Sequence, residues 1–176
     1  MSRGCWTGRW RGEGSDLAMP HYGTDLLVGT SLDAAALSDV IATTLPVRRE
    51  DVFLSADGGM PDDVLDALGL RNVVLLHALG QPANLNFKVD LEFVEPIPIH
   101  ALQALADAGG CVVALDRQAA FPDEIGSAIG EGYVIFRPSL PPRSGAIQDG
   151  GTDEEPTWDW ISTNDPLPRP LPTSSS

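Results

Sequence analysis

NVVLLHALGQPANLNFKVDLEFV, residues 72–94, decides the fold. Its opening stretch NVVLLHAL (72–79) is an almost unbroken apolar run, which suits a central strand covered on both faces. GQPAN (80–84) then reads as a turn. Beyond it, Phe87, Val89, Leu91 and Phe93 alternate with Lys88, Asp90 and Glu92, so one face is buried and the other is wet. Two strands joined by so short a turn are expected to form an antiparallel hairpin.

Upstream, TDLLVGT (24–30) reads as a strand, and Leu37, Val40, Ile41 and Leu45 recur at helical spacing behind Ser31, the expected cap. DVFLS (51–55) is a short strand. PDDVLDALG (61–69) opens with Pro at the first helical position, carries Asp62 and Asp63 in its first turn and ends on Gly69. Downstream, Ile99, Leu102, Leu105 and Ala106 mark a second long helix that stops at Gly109-Gly110. CVVAL (111–115), a short helix PDEIGSAIG (122–130) and the strand YVIF (133–136) follow.

The order of elements repeats. Pro61, Asp62, Asp63, Val64, Ala67, Leu68 and Gly69 match Pro122, Asp123, Glu124, Ile125, Ala128, Ile129 and Gly130 at a constant offset of 61. Val73, Val74 and Leu75 lie opposite Val134, Ile135 and Phe136 at the same offset. The pattern predicts an α+β fold with mixed α/β element order, built by tandem duplication of a strand, helix, strand, short helix, strand unit. The alternative is coincidence, since Pro at a helix start and Gly at its end are generic punctuation. Within each half the first two strands should run parallel through a crossover helix, and about six strands should form one mixed sheet with the helices mainly on one face. The tandem halves resemble, in element order only, the duplicated strand-helix-strand-strand modules of some small-molecule-binding proteins.

The domain is expected to span residues 21–140, with halves at about 22–80 and 86–138. Seven of the 15 prolines fall in 141–176 among Ser, Thr, Asp and Glu, so this acidic stretch is assigned to disorder. Residues 1–20 are assigned to disorder as well. Met19 is a candidate start, because MPHYGTDLLVG runs directly into the first strand. All four tryptophans (6, 10, 158 and 160) lie outside the periodic segments, so the core is expected to use none of them.

The formal charge is −14. Residues 19–140 hold 17 acidic and 6 basic side chains, and 141–176 hold 6 and 2. Such a field repels phosphate backbones and anionic lipid surfaces and favours cationic partners, so neither nucleic acid nor membrane is expected as a partner. The first 18 residues carry three arginines and no apolar stretch of the kind a secretory signal needs, and the two cysteines, Cys5 and Cys111, do not form a disulfide framework. A cytoplasmic location is expected. A single lysine, Lys88, against ten arginines hints at a GC-rich bacterial coding sequence.

Chemistry is sparse. His21, His77 and His100 are isolated, with no zinc-ligand spacing; His77, inside an apolar strand, reads as a hydrogen-bonded structural histidine. Cys111 opens an apolar strand and reads as structural. No GxSxG, GxGxxG or GxxxxGK[ST] pattern occurs, and no cofactor is expected. Asp57, Asp62 and Asp63 in SADGGMPDD, with Asp123 and Glu124 in the second half, are the candidate partner-binding residues. Helix-dipole complementarity alone would also explain acids at both helix starts. Asp57 with Asp116 forms a less supported catalytic pair. The favoured reading is a non-catalytic acidic interaction protein, an antitoxin or immunity-like binder of a basic partner; the alternative is a small-molecule sensor with a pocket between the halves.

Overall fold

The computed structural model describes residues 22–55, 62–79, 85–121, 132–151 and 156–162, together with 167 and 171. Eight strands form one sheet: β1 (Tyr22–Gly29), β2 (Val52–Ser55), β3 (Val73–Ala78), β4 (Phe87–Phe93), β5 (Val112–Asp116), β6 (Tyr133–Arg137), β7 (Leu140–Gly151) and β8 (Pro156–Ser162). Their order across the sheet is β2-β3-β4-β1-β5-β6-β7-β8. β2 and β3 pair in parallel, and every other neighbouring pair is antiparallel.

The two strands expected within 72–94 form as their patterns predict, and the turn expected at 80–84 lies outside the described residues. β3 and β4 pair antiparallel from Val73↔Glu92 to Ala78↔Phe87, and along β4 Phe87, Val89, Leu91 and Phe93 are buried while the residues between them are half-buried. β1 pairs with β4 on its other side, Tyr22↔Phe93 to Val28↔Phe87, which puts the hairpin near the middle of the sheet.

Among the described residues four α-helices accompany the sheet: α1 (Ala34–Thr44), α2 (Asp62–Ala67), α3 (Ala101–Gly109) and α4 (Arg117–Ala120). α1 starts at Ala34 rather than behind Ser31, because the Asp33 carboxylate accepts from the Ala36 N–H at 2.8 Å and satisfies an orphan donor of the first turn. α3 ends on Gly110 in the left-handed region, φ 57°, with its N–H donating to Ala106 O. α1 and α3 pack on each other over one face of the sheet. Leu37, Ile41, Leu102 and Leu105 meet Leu26, Val28, Val74, Leu76, Val89, Leu91, Val113, Val134 and Phe136 there. A fully buried side chain of this kind contributes about 1.5–3 kcal/mol. On the opposite face, α2 sets Val64 and Ala67 against Val73 and Leu75 in a smaller cluster.

Three expectations are corrected. First, the sheet has eight strands rather than about six. Within 141–176, which its composition assigns to disorder, β7 and β8 pair with each other and β7 pairs with β6, and Leu167 and Leu171 are half-buried against the main core. Pro141 and Pro142 fall at the start of β7 and Pro156 at the start of β8, where strand pairing tolerates them. Second, β1 and β2 run in the same direction but are not neighbours: β3 and β4 lie between them, and β1 lies between β4 and β5.

Third, the duplication is not confirmed. β2 and β3 are a parallel pair, whereas β5 and β6, at the corresponding places in the second half, are antiparallel. Arg117 N donates to Gly132 O at 3.1 Å, extending the β5–β6 ladder past Asp116↔Tyr133, so the chain between these strands leaves and returns at one end of the sheet. The helix expected at 122–130 and the residues 1–20 lie outside the described residues.

Candidate functional site

Of the five residues singled out as partner-binding, the structure describes two. Asp62 and Asp63 occupy the first turn of α2 and are exposed. Asp57, Asp123 and Glu124 lie outside the described residues. Asp116 ends β5 and caps α4, its Oδ1 accepting from Gln118 N at 2.8 Å.

α2 turns Val64 and Ala67 inward, which leaves Asp63, Leu65 and Asp66 on its outer side. These acids border a shallow hollow lined by Glu50, Asp51, Phe53, Asp63, Asp66 and Arg71. At its floor Asp51 has only 2% of its side chain exposed and is held from two sides, by Arg71 Nε at 2.8 Å and Arg48 Nε at 2.9 Å. Burial pushes the Asp51 carboxyl up, but the hydrogen bonds and charges of Arg71 and Arg48 outweigh it and hold the group below the ordinary aspartate value. Arg48 also reaches Glu50 at 2.7 Å. No ion pair reaches Asp63 or Asp66 among the described residues.

Apolar exposure gathers at the same end of the sheet. Leu54 on β2 is 52% exposed, Leu65 on α2 45% and Leu70 in the following turn 70%. Tyr22 and Leu140 are the other large exposed hydrophobics among the described residues. The sequence offered the acids of α2 through their helix-start position, but Glu50 and Asp66 join them only because β2 and α2 are neighbours in space.

A second polar cluster lies on the sheet face opposite α1 and α3, and sequence reasoning missed it. His77 Nε2 lies 2.7 Å from Asp90 Oδ2, and Lys88 Nζ lies 3.3 Å from Asp90 Oδ1 and 3.7 Å from Asp25 Oδ2. The Lys88 contact to Oδ1 is ionic rather than a well-formed hydrogen bond. Asp25 is pushed up to about 6, by burial, by its hydrogen bond to Asp90 and by the Asp90 charge, against the pull of Lys88. With 58% of the Asp25 side chain open to water, the facing carboxylate is the more specific of these causes. Asp25 thus keeps its proton to higher pH than an ordinary aspartate, while Asp90 is engaged by His77 at Oδ2 and by the Lys88 charge alone at Oδ1. The alternation along β4 already put Lys88 and Asp90 on the wet face; the register that brings Asp25 and His77 to them carries no local signal.

The remaining titratable candidates are structural in their surroundings. Cys111 is buried, its Sγ lies 3.5 Å from Leu105 O, and burial pushes its thiol up to about 11. His100 is exposed at the N-cap of α3. Among the described residues no group of three or more His, Cys, Asp or Glu side chains could hold a metal ion, and no helix is long and apolar enough to cross a membrane.

Comparison with protein-family models, with curated proteins and with solved structures finds no match to this chain.

Proposed function

We propose that this chain is a non-catalytic acidic interaction protein that binds a basic protein partner, in the manner of an antitoxin or immunity protein, through the β2–α2 end of its sheet. One observation carries the reading: Leu65 and Leu70 are exposed on and just after α2, whose Asp63 and Asp66 line a hollow with Glu50, and Leu54 is exposed on the edge strand β2. Exposed apolar side chains beside carboxylates suit an interface, in which leucines supply burial and acids supply steering and choice of partner. Asp62 and Asp63 belong to this surface, and Asp57, Asp123 and Glu124 are the further acids assigned to the partner. The formal charge of −14 favours a cationic protein over nucleic acid. No cofactor enters the reading, and a cytoplasmic setting agrees with the free buried thiol of Cys111.

The test is capture by the tagged full chain from host lysate at low and at moderate salt, beside a variant carrying Asp62→Asn, Asp63→Asn and Asp66→Asn. A basic protein enriched at low salt, released as salt rises and lost from the variant is the expected result. Retention that is indifferent to salt and to the three substitutions would overturn the reading.

A further inference from the structure

We propose that the outer edge of β8 is a strand-addition site for an extended peptide segment bearing lysine or arginine. The proposal rests on the acidic-binder reading above, that a basic partner is bound, and adds a second place of contact at the end of the sheet opposite β2.

β8 ends the strand order, so among the described residues one of its two edges faces no strand. The hairpin that carries it outruns the rest of the sheet. β7 pairs with β6 only from Leu140 to Gly145, whereas Ala146 to Gly151 pair with β8 alone, Ala146↔Ile161 to Gly151↔Pro156. About half of the hairpin is therefore a ribbon two strands wide. Two-stranded ribbons are marginal in water, and a third strand supplies the ladder they lack. Protection of this edge is slight: Pro156 removes one N–H at its start, and Asp159 is its single charge, with no lysine and no register shift against β7. Thr157, Trp158, Trp160 and Ile161 are residue types that favour strands. By contrast β2, at the other end of the sheet, offers four residues to β8's seven.

Charge selects the occupant. Asp159 is the middle residue of β8, so a second copy paired antiparallel over the whole strand would set Asp159 against Asp159, which is repulsive. A lysine or arginine opposite Asp159 is attractive instead, and backbone pairing along the edge is the strand-addition mode of peptide recognition.

The test uses a labelled peptide of alternating lysine and valine, matched in length to β8, and its fully N-methylated analogue, which keeps the charge and loses the backbone donors. Expected with the full-length protein are binding at low salt, slowed amide exchange at 157–161, and loss of about tenfold or more in affinity on N-methylation or in Asp159→Lys. Equal binding of the N-methylated peptide, with protection at 62–70 instead, would overturn the β8 site and leave the acidic-binder reading standing. Protection at 157–161 that grows with protein concentration in the absence of peptide would assign the edge to a second copy and overturn the site equally. Failure of the unmethylated peptide to bind at low salt would also overturn it, while the lysate capture decides the broader reading separately.

Discussion

Asp25 on β1 stands directly opposite Asp90 on β4, so two carboxyl groups face each other across the strand pair. Like charges so placed repel, so a proton is retained on the pair to higher pH than an isolated aspartate would allow. Lys88 on the same face, 3.7 Å from Asp25 and 3.3 Å from Asp90, moderates that repulsion without removing it.

Stability should therefore depend on pH through Asp25. Its carboxyl titrates at about 6 in the folded chain against an ordinary 3.8, so the folded state binds more protons between these values and stability falls as pH rises from the lower to the higher. Asp25→Asn is expected to flatten this slope and to stabilise the protein at pH 7 by about 1 kcal/mol or less, the side chain being more than half open to solvent, with little change at pH 4. Urea unfolding of both proteins across that range measures it. Lys88→Met should move the titration midpoint of Asp25 upward, because Lys88 is the group that lowers it.

Asp51 behaves in the opposite sense. Held below its ordinary value by Arg71 and Arg48, it stabilises the fold at neutral pH, and that contribution is lost as pH falls through its depressed folded value. Asp51→Ala leaves the two guanidinium groups facing each other over a hole that the carboxylate filled. A loss of about 2–3 kcal/mol at pH 7 is expected, the low side of a broken buried pair because both arginines are about half exposed, and denaturant titration reads it directly. A change within about 0.5 kcal/mol would show that the triad does not anchor the β2–α2 end.

These two sites show what the sequence carried and what it did not. Period-2 alternation located β4 and its wet face, and capping chemistry located the end of α3 at Gly110, because both signals are local. The neighbour of each strand is not a local property. Nothing within 24–30 says that Asp25 will face Asp90, and nothing within 49–51 says that Asp51 will meet Arg71, 20 residues on. Composition assigned 141–176 to disorder, and a proline count is blind to backbone pairing such as that of β7 with β6 and β8. The 61-residue offset was real as a pattern of caps and strands, yet the same pattern serves a parallel pair in one half and an antiparallel pair in the other.

Gly110 adopts φ 57° with open space around the position where a Cβ would stand. Gly110→Ala should thus cost only the strain of a left-handed residue, about 1 kcal/mol, seen as a lowered midpoint of thermal or urea unfolding with no change in the cooperativity of the transition. Loss of folding altogether would mean that the site is crowded.

Leu70 is 70% exposed and lies at the proposed interface. Leu70→Ser should leave stability within about 0.5 kcal/mol of the parent protein while weakening retention of the captured partner. Equal retention by the parent and Leu70→Ser chains would detach the leucines from the binding surface.

Two truncations distinguish an ordered C-terminal region from the disorder that its composition implies. Ending the chain after Ser162 keeps β7 and β8 but removes Leu167 and Leu171 from the main core, and half-buried leucines predict a loss of about 1–2 kcal/mol in total. Ending it after Ser139 also removes both strands and bares the edge of β6, whose Val134, Ile135 and Phe136 are fully buried in the intact chain. That protein should be less stable still and should associate through the new edge, visible as a concentration-dependent elution volume. Were both truncated chains as stable and as monodisperse as the full-length protein, β7, β8 and the two leucines would contribute nothing to the fold, and the order observed beyond residue 140 would be incidental to it.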